Sequence, residues 1–167
     1  MWSVVRRDRP RRRFPAVEAH MEVVVLNHGR EPTFLPLTIA VTTSAATAPG
    51  TRAVGDARVV RSRAEEADTV ATGCWAALLG GCNPPERRAL PTQLSALAEA
   101  TSRYVGDRWW SERAVGYRRR VASAQLRIND AVREGDGEEF AEAFVGYDQA
   151  IAAAVVSVQQ NVERATQ

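Results

Sequence analysis

Two seams of apolar residues between Asp107 and Val162 constrain this chain more than any other stretch. Trp110, Ala114, Tyr117, Val121, Ala124, Ile128 and Ala131 follow one another at alternating steps of four and three. Phe140, Phe144, Tyr147, Ile151, Ala154 and Val158 repeat the pattern. Steps of four and three mark one stripe of an α-helix and exclude the period-two alternation of a β-strand. Between the seams lies Glu134-Gly135-Asp136-Gly137-Glu138. Gly135 suits the left-handed residue that ends a helix, and Asp136 suits the cap of the next one. Glu138, Glu139 and Glu142 complement the positive end of that second helix. Asp107 stands where a carboxylate can accept from free amides at the start of the first. A short link between two seams predicts an antiparallel helical hairpin over 107–162.

The second hairpin helix is apolar nearly all round between Ala150 and Val158. A helix of that kind is covered on several sides, here by an earlier helix or by another copy of the chain. The run is too short to cross a bilayer, which takes about 20 apolar residues.

Upstream, Ser62 with Glu65 reads as a capping box, which places the first core helix at Arg63–Leu79. Ala67, Val70, Ala71, Cys74, Ala77 and Leu78 mark its apolar face, and Gly80-Gly81 ends it. Asn83-Pro84-Pro85-Glu86 predicts a short helical turn. Pro91 restarts a helix whose face is Leu94, Leu97, Ala98, Thr101, Tyr104 and Val105. The expected fold is therefore all-α. It is a small up-and-down helical bundle over 62–167, built on the hairpin, with an irregular or disordered basic N-terminal third over 1–61. Within that third, 21–26 and 34–42 read as short strands, from Val23–Val25 and from the β-branched residues after Phe34. Ala48–Arg61, with Pro49, Gly50 and Gly55, reads as linker.

All 22 basic residues are arginine, a bias that points to GC-rich codons, as in a GC-rich bacterium. Residues 1–61 hold ten arginines against five acids, whereas the rest of the chain is acidic. Arg6, Arg7, Arg9, Arg11, Arg12 and Arg13 crowd together around Pro10. Such a run reads as a solvated tail, as an arm that neutralises phosphate, or as the basic start of an export signal. Arg11-Arg12-Arg13-Phe14 resembles the twin-arginine export pattern, although Glu18 and Glu22 interrupt the apolar stretch that should follow. Phe34–Thr43 can also be read as the core of a signal peptide, and Leu79-Gly80-Gly81-Cys82 as a lipobox lacking its basic flank.

Chemistry is sparse. The two cysteines, Cys74 and Cys82, form a disulfide only if the chain is exported. His20 and His28 lie outside the helical body, and no ligand set for a metal assembles. No phosphate-binding glycine loop and no nucleophile elbow appear, so no cofactor and no catalytic residue are expected. The distinctive feature is an arginine column. Arg113, Arg120 and Arg127 are spaced by seven along one flank of the first seam, with Arg118 and Arg119 adjacent. Among the facing flank positions of the second helix only Asp148 is acidic, which leaves the column poorly paired. Trp109 lies one turn away, and tryptophan beside arginine is a common interface anchor.

Ala131-Val132-Arg133-Glu134-Gly135-Asp136 followed by Phe140 is similar to a helix–Gly-Asp–helix joint in the ligand-binding domain of FadR-type regulators. That resemblance implies an Asp-x-x-x-His metal pair just downstream. Here Asp148 is followed four positions later by Ala152, and no winged-helix segment precedes the joint, so the family is not assigned.

The sequence thus predicts a non-catalytic helical interaction or scaffold module. It would self-associate or bind a protein partner through Trp109, Arg113, Arg118, Arg119, Arg120 and Arg127. A nucleic-acid-associated protein using the N-terminal arginines is the alternative, and an exported helical domain is a third. The expected location is cytoplasmic, without a transmembrane segment.

Overall fold

The structure is a computed structural model that describes residues 32–47, 51–81 and 85–165, without the side chains of 51–52 and 161–165. The described residues form six α-helices and no strand: α1 (Pro36–Thr47), α2 (Thr51–Gly80), α3 (Glu86–Val105), α4 (Asp107–Glu112), α5 (Val115–Glu134) and α6 (Gly137–Ala165). Helix α2 packs chiefly on α3, and α5 on α6. Helix α1 lies against both α2 and α6, and α3 also meets α6. The all-α bundle built on a C-terminal hairpin is therefore the observed fold.

The hairpin follows its seams. Val121, Ala124, Ile128 and Ala131 of α5 are buried, and so are Phe140, Phe144, Tyr147, Ile151 and Ala154 of α6. Gly135 has φ +77°, and its N–H returns to the Ala131 carbonyl. That left-handed conformation strains any residue with a Cβ. Asp136 caps α6 by accepting from the Glu139 amide at 2.9 Å. Much of the girdle on α6 is covered within the chain: Ala150, Ile151, Ala152, Ala154 and Val155 are buried, whereas Ala153 is exposed and Val156 and Val158 are half-buried. By length and composition alone, Gly137–Gln160 is apolar enough to cross a membrane, although only half of that window is buried in the bundle.

The first hairpin helix is not one helix. It breaks at Arg113-Ala114, where the Trp109 carbonyl accepts from both the Arg113 and Ala114 amides. Ala114 itself is fully buried at the break. Nearby Gly116 weakens helix propensity, so the seam continues in sequence while the backbone turns. Asp107 starts α4 without capping it; its carboxylate accepts from the Ser102 hydroxyl at 2.7 Å.

The expected strand at 34–42 is instead the start of α1. Its buried residues Thr38, Thr42 and Ala45 step four, then three, which is a helical stripe made of small and polar residues. The hydroxyl of Thr42 donates to the Thr38 carbonyl at 2.6 Å, so a β-branched residue sits inside the helix with its polar atom satisfied. The segment expected to be linker also belongs to a helix. Ala57 and Val60 extend the α2 seam of Ala64, Ala67, Ala71 and Cys74 towards the N-terminus. Ser62 thus lies inside α2, where its hydroxyl bonds Glu66 rather than capping an end. Pro91 lies inside α3, on an exposed side, where the carbonyl freed by its missing N–H can be hydrated. The expected strand at 21–26 lies outside the described residues.

Aromatic rings gather at one end of the core. The Phe34 ring stands 5.4 Å from Phe140, 5.1 Å from Phe144 and 6.1 Å from Trp75, joining the segment before α1 to α2 and α6. Tyr147, fully buried, donates its hydroxyl hydrogen to the Leu94 carbonyl at 2.7 Å and ties α6 to α3.

Candidate interaction surface

Asp148 is the only acid facing the arginine column in the sequence, yet it does not meet it. It is buried and points to α1. Its two carboxylate oxygens accept from the Thr38 and Leu37 amides at 2.8 and 2.9 Å. Asp68 of α2 accepts from the Phe34 and Leu35 amides at 2.6 and 2.9 Å. Pro36 has no N–H to satisfy. Asp148 thus caps α1 through the free amides of its first turn, while Asp68 holds the two residues just before it. Burial raises the Asp148 carboxyl above the usual range, its bonds to Thr38 and Leu37 oppose that shift, and nearby Asp68 adds to it.

Arg127 is answered from elsewhere. Its guanidinium bonds both oxygens of Glu139 at 2.7 and 3.1 Å, and Glu142 at 3.1 Å. The expectation of a poorly paired column is thus corrected at this position. A long side chain reaches diagonally towards the turn, to acids that a flank-by-flank register passes over. These carboxylates hold the arginine charge more firmly still. The pair is solvent-exposed, so it contributes little stability.

The other arginines divide into two groups. Around the α4–α5 break, Trp109 packs on Tyr117 with centroids 5.8 Å apart, and the Arg120 guanidinium lies 4.9 Å from the Tyr117 ring centre. Such a cation–π contact is worth about 0.5–1 kcal/mol at an exposed site. Arg118 donates to the Ser111 carbonyl at 2.9 Å, which bridges the break and satisfies an acceptor that α4 leaves free. Arg118 is therefore a splint for the joint rather than a free cation. Arg113 and Arg119 are exposed and, among the described residues, form no hydrogen bond or ion pair. Arg113 lies with Arg108, Trp109 and Glu112 around a shallow cavity.

Arg119, Arg120 and Arg127 form one wall of a groove of about 560 Å3 between α5 and α6. Its floor and far wall are Ser123, Ala124, Gly146, Gln149, Ala150 and Ala153. The wall contributed by α5 is basic, and the wall contributed by α6 is uncharged, with small Gly146, Ala150 and Ala153 beside the amide of Gln149. No His, Cys, Asp or Glu lines the groove to activate the Ser123 hydroxyl, and among the described residues no cluster of three or more His, Cys, Asp or Glu could hold a metal. The small residues on α6 gave no signal in the sequence, because they read there as part of the apolar girdle.

Cys74 is buried in the core with its thiol free, and Cys82, its partner in the disulfide an exported chain would form, lies outside the described residues. Burial, with a smaller contribution from Glu86, pushes the Cys74 thiol up to about 11. The arginines Arg6, Arg7, Arg9, Arg11, Arg12 and Arg13 lie outside the described residues, as do His20 and His28. No family model matches the chain, and neither curated proteins nor solved structures give a match.

Proposed function

We propose that this chain is a non-catalytic helical interaction module that binds a protein partner along the α5/α6 hairpin. The observation that carries the reading is the groove between those helices, where Arg119 is exposed and unpaired beside a floor of small residues. An open surface with unmet positive charge and no reactive group is suited to recognition, not to bond chemistry. Two further features support it. The α4–α5 joint is stiffened by the Trp109–Tyr117–Arg120 stack and by Arg118, which holds the rim in place. Val115 and Leu126, 50 % and 65 % exposed, add large apolar side chains to the outer face of α5.

Burial of most of the α6 girdle within the chain weakens the case for self-association, which makes a different protein the favoured partner. Site-specific photocrosslinking tests this. A crosslinker at Ser123, inside the groove, should give one discrete adduct that disappears on Arg119→Glu. A crosslinker at exposed Ser95 on α3 should not give it. Equal labelling from both sites, or none from Ser123, would sink the reading. Light scattering of the full chain identifies the case in which the partner is a second copy.

A second reading rests on the charge imbalance of the sequence, ten arginines against five acids over 1–61. It makes the N-terminal arginines a phosphate-binding arm. It requires nucleic-acid binding that weakens with salt and is lost when Met1–Pro15 is deleted.

A further inference from the structure

We propose that the α5/α6 groove receives an acidic amphipathic helix of the partner, with carboxylates on Arg119 and Arg120 and a small apolar side on Gly146, Ala150 and Ala153. This rests on the interaction-module reading and gives the partner a chemistry. The groove is lined asymmetrically, and each wall asks for something different. Small side chains on α6 let a third helix approach closely, towards the short end of the usual 8–10 Å axis separation. The α5 wall needs negative charge. Arg119 is exposed with no partner, and Arg120 offers only its ring contact with Tyr117, which leaves guanidinium N–H donors for a carboxylate.

The charge also runs in one direction along the groove. Arg127, towards the hairpin turn, is already held by Glu139 and Glu142. Among the described residues, the groove's unmet positive charge therefore lies at the Arg119 end, and carboxylates crowd the other. A helix with its acids at one end matches that gradient. A nucleic-acid backbone does not, because its evenly spaced phosphates would meet Glu139 and Glu142 as well. The exposed acids Glu65 and Glu66 of this chain are already bonded to Arg61 and Arg63, so a second copy offers no free acidic edge there.

Fluorescence anisotropy on the full chain tests this with four probes. They are a helical peptide of about 20 residues with Glu along one edge and Ala and Leu beside it, its scrambled sequence, its Glu→Gln counterpart, and a short single-stranded oligonucleotide. The acidic helix should bind best and weaken with salt. Arg119→Ala with Arg120→Ala should reduce its affinity about tenfold or more. Ala153→Glu, at an exposed position, should abolish binding with an unchanged circular dichroism spectrum, and Arg113→Ala, outside the groove, should not alter it. Equal binding of the scrambled peptide, or no effect of the double substitution, overturns the proposal. Preference for the oligonucleotide overturns it in favour of nucleic acid. A Gln peptide that binds as tightly, and is blocked by Ala153→Glu, overturns the acidic chemistry but leaves the interaction module standing. If no peptide binds while Ser123 still gives a discrete adduct, only this proposal fails. If both are silent, both readings fail.

Discussion

Helices α1 and α6 begin in opposite ways. Helix α6 is capped by its own preceding residue, Asp136, through one bond to Glu139. Helix α1 is capped by Asp148 of α6, which accepts from Leu37 and Thr38, while Asp68 of α2 holds Phe34 and Leu35 just before it. A local cap belongs to the helix and forms with it. A remote cap belongs to the bundle, and it joins the stability of one helix to the docking of three.

The sharpest way to break the comparison is to remove one cap of each kind. Asp148→Ala leaves the buried amides of Leu37 and Thr38 without acceptors, and charge-assisted bonds of this sort are worth about 1.5–3 kcal/mol each. Relief of the buried charge offsets part of that loss, so a net destabilisation of about 3 kcal/mol is expected in denaturant unfolding. Asp136→Ala should cost about 1 kcal/mol, the usual value for an N-cap. Equal losses from the two substitutions would mean that the remote cap is no more than a local one placed at a distance.

Gly135→Ala should cost about 1 kcal/mol, because φ is +77° there and open space surrounds the position. The loss would come from backbone strain alone, which isolates the hairpin turn from its packing.

A smaller effect concerns pH. The folded Asp148 carboxyl titrates above its unfolded value because it is buried. Between those two values the native state binds a proton that the unfolded chain does not, so this group makes stability fall as pH rises through that window. Asp148→Asn should remove that slope. Unfolding midpoints across the acid range check this: relative to the variant, the wild type should do best at the acid end. A constant difference across the range would contradict the assignment.

The smallest effect is kinetic. Cys74 should resist thiol reagents at neutral pH in the folded chain and react at the rate of an ordinary thiol once unfolded.

How much of this was legible follows from the same contrast. The hairpin could be read because its seam is made of large apolar residues and its turn is written locally as Gly135-Asp136. Helix α1 could not be read. Its inward stripe of Thr38, Thr42 and Ala45 carries no apolar periodicity, and its cap lies far away in sequence. Ala57 and Val60 extend α2 by small steps of the same seam, while Gly50 and Gly55 beside them suggested a linker. The arginine column was visible as a spacing, but its pairing was not. Arg127 reaches along the hairpin to Glu139 and Glu142, which the sequence offered only as partners of the helix dipole. The groove depends on which small residues of α6 are left uncovered, and only the packing of the other helices decides that.

The remote cap has a consequence for how the chain is made. Thr38 and its acceptor Asp148 are 110 positions apart. A chain growing from its N-terminus exposes the first turn of α1 long before α6 exists. Until then the Leu37 and Thr38 amides have only water, and the helix has too few residues to persist by itself. Docking of the first helix therefore waits for the last. The second helix of the hairpin closes the first helix of the bundle.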